Sequence, residues 1–410
     1  MKFSKLRQLL LVSAIGLVVA TLFSGCQLVT IDYLFVATSA STISGSGSSS
    51  CPNGEIETYA VDSQSGAIRT GAPQVCSGGT TPVALAISPG FQNLYVANQV
   101  DMNIVHFAVA SNGVLTKKDS VSLGTAPVAM AVSPDGNTLY VVSGTTTATL
   151  STFALSSGAL GTSPANQVSL TIPGFVSDSV VPTNVTVLAN GSAVYATAYD
   201  LSSYNPGGVT TSTASPGWVF GFTTGSGGAL TPTSGSPYSA GVKPSAVTAD
   251  PTNRFVYVTD FASNQMIGYG IYSGNTLSFL LNGPYKTGGQ PSSIAIDPRG
   301  KFIYVSNSLD STVTAYVIDL PTGTPSTAVN TTGSQTNNTD TQPVSVAVDP
   351  ALGRYVYTAN FLGNSVSGFR LDPTAGTLKQ TQATPYPTGI HPTAVVLVPH
   401  GNHSTQTVTP

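Results

Sequence analysis

From residue 82 onward the chain repeats one pattern of apolar and polar positions: Pro82-Val83-Ala84-Leu85-Ala86-Ile87-Ser88-Pro89, a turn, then Leu94-Tyr95-Val96-Ala97-Asn98. Further copies start at Pro127, Pro182, Pro244, Pro291, Pro343 and Pro392, at intervals of 45, 55, 62, 47, 52 and 49 residues. The first segment alternates large and small side chains, Leu85 and Ile87 against Ala84 and Ala86, Ile294 and Ile296 against Ser293 and Ala295. A period of two marks a β-strand, whose side chains point to opposite faces in turn. Neither face carries charge, so both should be covered. In the turns, such as Ser133-Pro134-Asp135-Gly136-Asn137 and Asp297-Pro298-Arg299-Gly300-Lys301, Pro presets φ and Gly or Asn accepts a positive φ. A tyrosine falls thirteen residues after Pro in five copies (Tyr95, Tyr140, Tyr195, Tyr257, Tyr304) and fourteen after it in a sixth (Tyr357), which implies a strand, turn and strand of constant length.

A repeat of this length matches a four-stranded propeller blade. The innermost strand would be the Pro-started one, its small face crowding the axis. Weaker apolar runs, Ile104 to Val109, Val313 to Ile318 and Val366 to Leu371, would fill outer positions. The count at the two ends is complementary. A tyrosine-type second strand, Leu34-Phe35-Val36-Ala37-Thr38, precedes every Pro-started one, and the last Pro-started strand, Pro392 to Val398, has none after it. Pairing the two would complete a seventh blade and remove the open sheet edge. An open solenoid would need capping repeats and has no use for this complementarity. The expected fold is therefore all-β: a seven-bladed β-propeller over residues 32–399, with four-stranded blades and a ring closed by N- and C-terminal strands sharing one blade. Residues 400–410 are expected to be a flexible tail. The Ser/Gly stretch from Ser39 to Ser50 has blade strands on both sides and reads as a loop.

Composition agrees: 42 Gly, 28 Pro and 8% charged residues among 410 disfavour long helices and favour many turns. The N-terminus stands apart. Lys2, Lys5 and Arg7 precede an apolar run, Leu9 to Leu22, ending at Phe23-Ser24-Gly25-Cys26. The run is short for a membrane span, which needs about 20 apolar residues, and reads as an export signal. It resembles a bacterial lipoprotein signal with a lipobox, although Phe23 stands where that family usually has Leu. The resemblance implies that residues 1–25 are removed, that Cys26 carries the lipid and that 26–31 form a tether. Gln27 after the cysteine implies outer-membrane sorting where such a membrane exists. Loss of Lys2, Lys5 and Arg7 takes the formal net charge from −3 to −6, which argues against nucleic-acid or anionic-lipid partners, since both need a cationic field. Cys51 and Cys76 flank a hairpin about Ser63-Gln64-Ser65-Gly66 that would set them opposite one another, so an exported chain should join them in a disulfide.

The segments Tyr95-Val96-Ala97-Asn98, Tyr257-Val258-Thr259-Asp260, Tyr304-Val305-Ser306-Asn307 and Tyr357-Thr358-Ala359-Asn360 resemble the YVTN repeat of lactonase-like seven-bladed propellers. The resemblance spans about residues 31 to 399 and implies the fold. Activity does not follow from it, because such propellers include both hydrolases and non-catalytic binding proteins.

In a propeller, loops entering the innermost strand and loops leaving the second strand share one face, the default site. The entering residues are Thr81, Ala126, Val181, Lys243, Gln290, Gln342 and His391, and the leaving ones Thr38, Asn98, Ser143, Ala198, Asp260, Asn307 and Asn360. This gives ligand-binding candidates Asn98, Asp260, Asn307, Asn360, Lys243, Gln290, Gln342 and His391. A hydrolase of anionic sugar lactones would want cationic clamps and a base for water, for which Asp260, His391 and Lys243 are the candidates. Arg254, Arg299 and Arg354 fall in turns on the opposite face, so no Arg/His/Glu set of the enzymes carries over. The Asn side chains also suit strand-end capping, and His106 reads as a strand residue with no second His at metal-ligand spacing. The expectation is a membrane-anchored, monomeric binding or scaffold propeller for a glycan, peptide or protein, without cofactor or metal. The alternative is a lactonase-type hydrolase resembling 6-phosphogluconolactonases, which opens a small cyclic ester.

Overall fold

The computed structural model describes residues 29–40, 51, 53–172, 179–202, 216–328 and 336–410. The signal segment, Cys26 and most of the Ser/Gly stretch lie outside the described residues. Seven antiparallel sheets form the structure. Blade 1 runs from the axis outward as Pro82–Ile87, Asn93–Asn98, Asn103–Val109 and Leu115–Ser122. Blades 2 to 6 begin with Pro127–Val132, Val180–Val187, Pro244–Ala249, Pro291–Ile296 and Pro343–Val348. Each innermost strand touches those of its two neighbours, and Ile390–Pro399 lies beside both Pro343–Val348 and Pro82–Ile87, which completes the circle.

Blade 7 is built from both ends of the chain. Ile390–Pro399 pairs antiparallel with Thr30–Ala40, setting Leu34 opposite Leu397, Phe35 opposite Val396 and Ala37 opposite Ala394. Glu55–Asp62 follows outward. Cys51 and Cys76 form the expected disulfide, with Cα atoms 5.1 Å apart.

The core is divided among the blade interfaces, because each sheet is apolar on both faces. Phe302, Tyr304, Val346, Val356 and Phe369 join blades 5 and 6, and Leu34, Val36, Tyr357 and Leu397 join blades 6 and 7. The repeated tyrosines are fully buried, and a buried hydroxyl needs a partner. Five of the six reach across to a turn carbonyl of the next blade: Tyr95 donates to Gly158, Tyr195 to Asn275, Tyr257 to Gly323, Tyr304 to Gly376 and Tyr357 to Gly66, over 2.6–2.9 Å. Burial pushes the Tyr95 hydroxyl up to about 12, so it stays a donor at neutral pH. Phe35 takes this place in blade 7 and makes no such bond.

Two features differ from expectation. The outer strand is continuous in blade 1 and broken into two short pieces in the other six. Pro237, Pro284 and Pro385 sit in three of these breaks, where a residue without an N–H interrupts a ladder. The C-terminus, expected as a loose tail, instead forms a short 3-10 helix, Gly401–Thr405, that buries His403 beneath blades 6 and 7.

His403 Nε2 lies 3.0 Å from Asp349 in the lower turn of blade 6 and 3.5 Å from Asp32 at the start of the N-terminal strand. Its Nδ1 faces Gln406 Oε1 at 2.9 Å. Asp32, Asp349 and His403 are the one group of three potential metal ligands among the described residues, all of them buried. Burial alone would lower the His403 pKa; the hydrogen bonds to Asp349 and Gln406 and the charges of Asp349 and Asp32 raise it to about 8. Burial, then the Asp349 charge, pushes Asp32 well above the carboxylate range. Burial opposes the ionised form of Asp349 too, yet the bonds from His403 and the Arg354 N–H hold its pKa below the ordinary value. A His pKa higher in the folded state than the unfolded 6.5 contributes stability that is complete below pH 6.5 and lost as pH rises through 8. The loss is about 2 kcal/mol, and the raised Asp32 acts in the same direction. Calorimetry should show the melting temperature falling from pH 6.5 to 9. The decline should vanish in the double variant Asp32→Asn, His403→Gln.

Candidate functional site

The loops entering the innermost strands and leaving the second strands gather on one face, here the upper face, while the inner hairpin turns make the lower face. All seven entering residues, Thr81, Ala126, Val181, Lys243, Gln290, Gln342 and His391, are half-buried at the axial mouth. Thr81, Gln290, Gln342 and His391 have φ of +56, +53, +59 and +53°. Such values are uncommon for residues other than Gly, Asn or Asp, and bonds from the preceding blade hold them. The Gln290 N–H donates to Asn264 Oδ1 (2.7 Å), that of His391 to Asn364 Oδ1 (2.8 Å) and that of Gln342 to Ser311 Oγ (3.3 Å). Since the arrangement recurs from blade to blade, it belongs to the architecture of the loops.

Four of the leaving residues take the strand-end capping role that their side chains suit, and not the ligand-binding place at the mouth for which they were candidates. Asn98, Asp260, Asn307 and Asn360 are 0% exposed and do not line the mouth. Asp260 accepts N–H bonds from Val242, Lys243 and Ala262 and from the Gln265 amide, over 2.9–3.2 Å. Asn307 accepts from the Gly288 N–H and donates to Thr312 and Thr314. Asn360 donates to Ser365 and Ser367, and Asn98 to Asn103 and the Ser77 carbonyl. The approach is close enough that a Cβ at Gly241 would lie 2.2 Å from the Asp260 carboxylate. These side chains clamp the third strand and, for Asn98, Asp260 and Asn307, the loop entering their own blade. With four donors on its carboxylate, Asp260 has no oxygen turned to the mouth to activate water.

In blade 7 the same clamp comes from residues the sequence reading passed over. Glu57, one strand further out, accepts from the Gly389 N–H (2.8 Å) and from the Tyr59 hydroxyl (2.7 Å). Burial pushes its pKa up, against the bonds from Tyr59 and Gly389. Glu55 and Glu57 are both buried on one face of a strand with every residue covered. The signal available in the sequence was their i, i+2 spacing in an otherwise apolar run.

Two basic side chains remain at the mouth, each laid against an aromatic ring. The Lys243 ammonium sits 4.7 Å from the centroid of Phe261 and 5.5 Å from that of Tyr199, and burial lowers its pKa. The His391 ring stacks on Phe361 at 4.4 Å and 9°. Phe261 and Phe361 thus support the entering residues. Lys243 enters blade 4 and His391 blade 7, so blades 5 and 6 lie between them on the shorter arc. Gln290 and Gln342 enter those two blades and complete a polar arc. Further out on the same face, Val100, Leu309 and Leu362 are 58, 65 and 56% exposed. His106 lies buried in a strand, 2.9 Å from both Asp119 and Asn93.

Residues 110–403 match the family model described as Lactonase, 7-bladed beta-propeller. No curated protein matches the sequence. Among solved structures, the periplasmic gluconolactonase of Pseudomonas aeruginosa has 18% identity and a TM-score of 0.68, covering 89% of this chain and 99% of its own. A 6-phosphogluconolactonase candidate of Bacteroides fragilis has 17% identity and a TM-score of 0.69, covering 91% and 99%. Hydrazine synthase of Kuenenia stuttgartiensis, at 17% identity and a TM-score of 0.56 over 79% and 93%, has a related fold under a different name. At such identities the likeness is one of fold.

Proposed function

Because the chain belongs to the Lactonase seven-bladed β-propeller family, we propose that it is a hydrolase that opens a small cyclic ester at the axial mouth of its upper face. The observation that carries this reading is His391: a half-buried imidazole at the mouth, its backbone tied to Asn364 and its ring stacked on Phe361. A base needs such fixed orientation toward the proton it takes. In the proposed reaction His391 takes a proton from water as the water oxygen bonds to the ester carbonyl carbon. The ring C–O bond then breaks, and the freed oxygen takes the proton to give a hydroxy acid. Lys243 supplies positive charge for an anionic or carbonyl oxygen, and Gln290 and Gln342 offer amides to sugar hydroxyls. One fold relative is named a gluconolactonase and another a 6-phosphogluconolactonase candidate, so glucono-1,5-lactone is the probe of choice. Acid release followed in a pH-stat should exceed the spontaneous rate.

A second reading, binding without turnover, is supported by the exposed Val100, Leu309 and Leu362 around the same mouth, an apolar rim of the kind that marks interaction sites. Saturable binding with no acid release would favour it.

We also propose that the protein is exported and held to the envelope by a lipid on Cys26. The Cys51–Cys76 disulfide suits an oxidising compartment. Thr30–Ala40 begins on the lower face, where Thr30 pairs with Asp62, so an anchor there would turn the upper face away from the membrane. Labelled palmitate should enter the wild-type chain and be lost in Cys26→Ala; equal labelling would remove the anchor.

A further inference from the structure

Five arginines follow Cys26, and all of them lie at the lower face. Three converge. Arg299 from the inner turn of blade 5, Arg354 from that of blade 6 and Arg370 from the lower end of the third strand of blade 6 line one cavity of about 540 Å³, walled by Tyr355 and Ser63. This is the size of a small-ligand pocket. Arg299 is held in place: its guanidinium pairs with Asp297 at 2.9 Å, donates to the Leu352 carbonyl and packs on Gly353, where a Cβ would come within 2.9 Å of it. Arg354 and Arg370 are exposed, and neither is in an ion pair among the described residues. The acids around them are already engaged, Asp349 by His403 and by backbone N–H groups and Asp372 by the N–H groups of Thr374 and Ala375. Positive charge is thus gathered in one recess of a protein whose net charge is negative.

We propose that this recess is a phosphate-binding site. Guanidinium groups match phosphate oxygens with paired N–H donors, and two unpaired forks facing one cavity, beside a third fixed by its neighbours, can hold one phosphoryl group from several sides. The site lies on the face opposite the mouth, so it is independent of the proposed hydrolysis. It adjoins the start of the fold, because the Ser63 N–H donates to the Val29 carbonyl at 2.9 Å. Cys26 is three residues further back, at most about 10 Å of extended chain. On the proposed anchoring the recess therefore faces the lipid surface, and the phosphate of an envelope lipid headgroup is one source of the ligand. A soluble phosphate compound is the other.

The test is calorimetric titration of the full chain, purified in detergent, with three probes: inorganic phosphate, dihexanoyl phosphatidylglycerol and, as a zwitterionic control, dihexanoyl phosphatidylcholine. The proposal expects saturable binding of at least one of the first two, weakened at least tenfold in Arg354→Ala/Arg370→Ala and less in the double Lys variant, which keeps charge and loses the fork. His391→Ala should bind as the wild type does. Binding of the phosphatidylglycerol probe alone identifies a lipid headgroup, and binding of inorganic phosphate a soluble compound. No saturable binding of either below about 10 mM, or equal binding by the double Ala variant with an unchanged circular dichroism spectrum, would overturn it.

Discussion

A chain ending at Gly389 is expected not to fold. The truncation removes Ile390–Pro399, whose eight pairings with Thr30–Ala40 make the inner half of blade 7. It leaves Leu34, Phe35 and Val36, all fully buried in the intact ring, on an open sheet edge. Loss of Val395, Leu397 and Val398 alone forfeits roughly 2 kcal/mol each of burial. The ladder and the contacts to blades 1 and 6 go as well. Since a domain holds only about 5–15 kcal/mol in all, the remainder cannot be stable. Chemical denaturation of the truncated chain should show no cooperative transition where the full chain shows one. Leu397→Asp, which buries a charge at a position 2% exposed, should approach the same result with the backbone intact.

The second large effect concerns Asp260. Asp260→Ala is expected to destabilise the protein by about 4 kcal/mol, since hydrogen bonds to a charged group are worth about 1.5–3 kcal/mol each and buried donors left without an acceptor add to the loss. Four donors converge on this carboxylate, and two of them, the N–H groups of Val242 and Lys243, form the loop that carries Lys243 to the mouth. The midpoint of urea unfolding should move accordingly, measured alongside Gln290→Ala as a mouth variant with little effect on stability. A shift no larger for Asp260→Ala than for Gln290→Ala would mean that the carboxylate is not the clamp described.

Much of this was legible in the chain because period-two alternation and fixed Pro-to-Tyr spacing are local signals of a strand, turn and strand. Phe35 in place of tyrosine, and Pro392 to Val398 without a successor, were enough to place the two ends side by side. What the sequence concealed was non-local. The leaving residues look like a polar ring around the axis, but Asn98, Asp260, Asn307 and Asn360 face inward to the neighbouring strand or entering loop, as Asp260 does to Val242, and in blade 7 Glu57 reaches Gly389 from the far end of the chain. The burial of His403 depends on Asp32 and Asp349, brought to it only when the ring closes. Arg299, Arg354 and Arg370 read as separate turn and strand residues, and only the adjacency of blades 5 and 6 gathers them.

The central claim, that the mouth of the upper face performs hydrolysis with His391 as base, is tested most directly by the rate of glucono-1,5-lactone opening in wild type and His391→Ala at equal stability. The expected result is catalysis in the wild type and a fall of roughly 10²–10⁴ in kcat with little change in KM. Acid release no faster than the spontaneous reaction, or a His391→Ala variant as fast as the wild type, would contradict it.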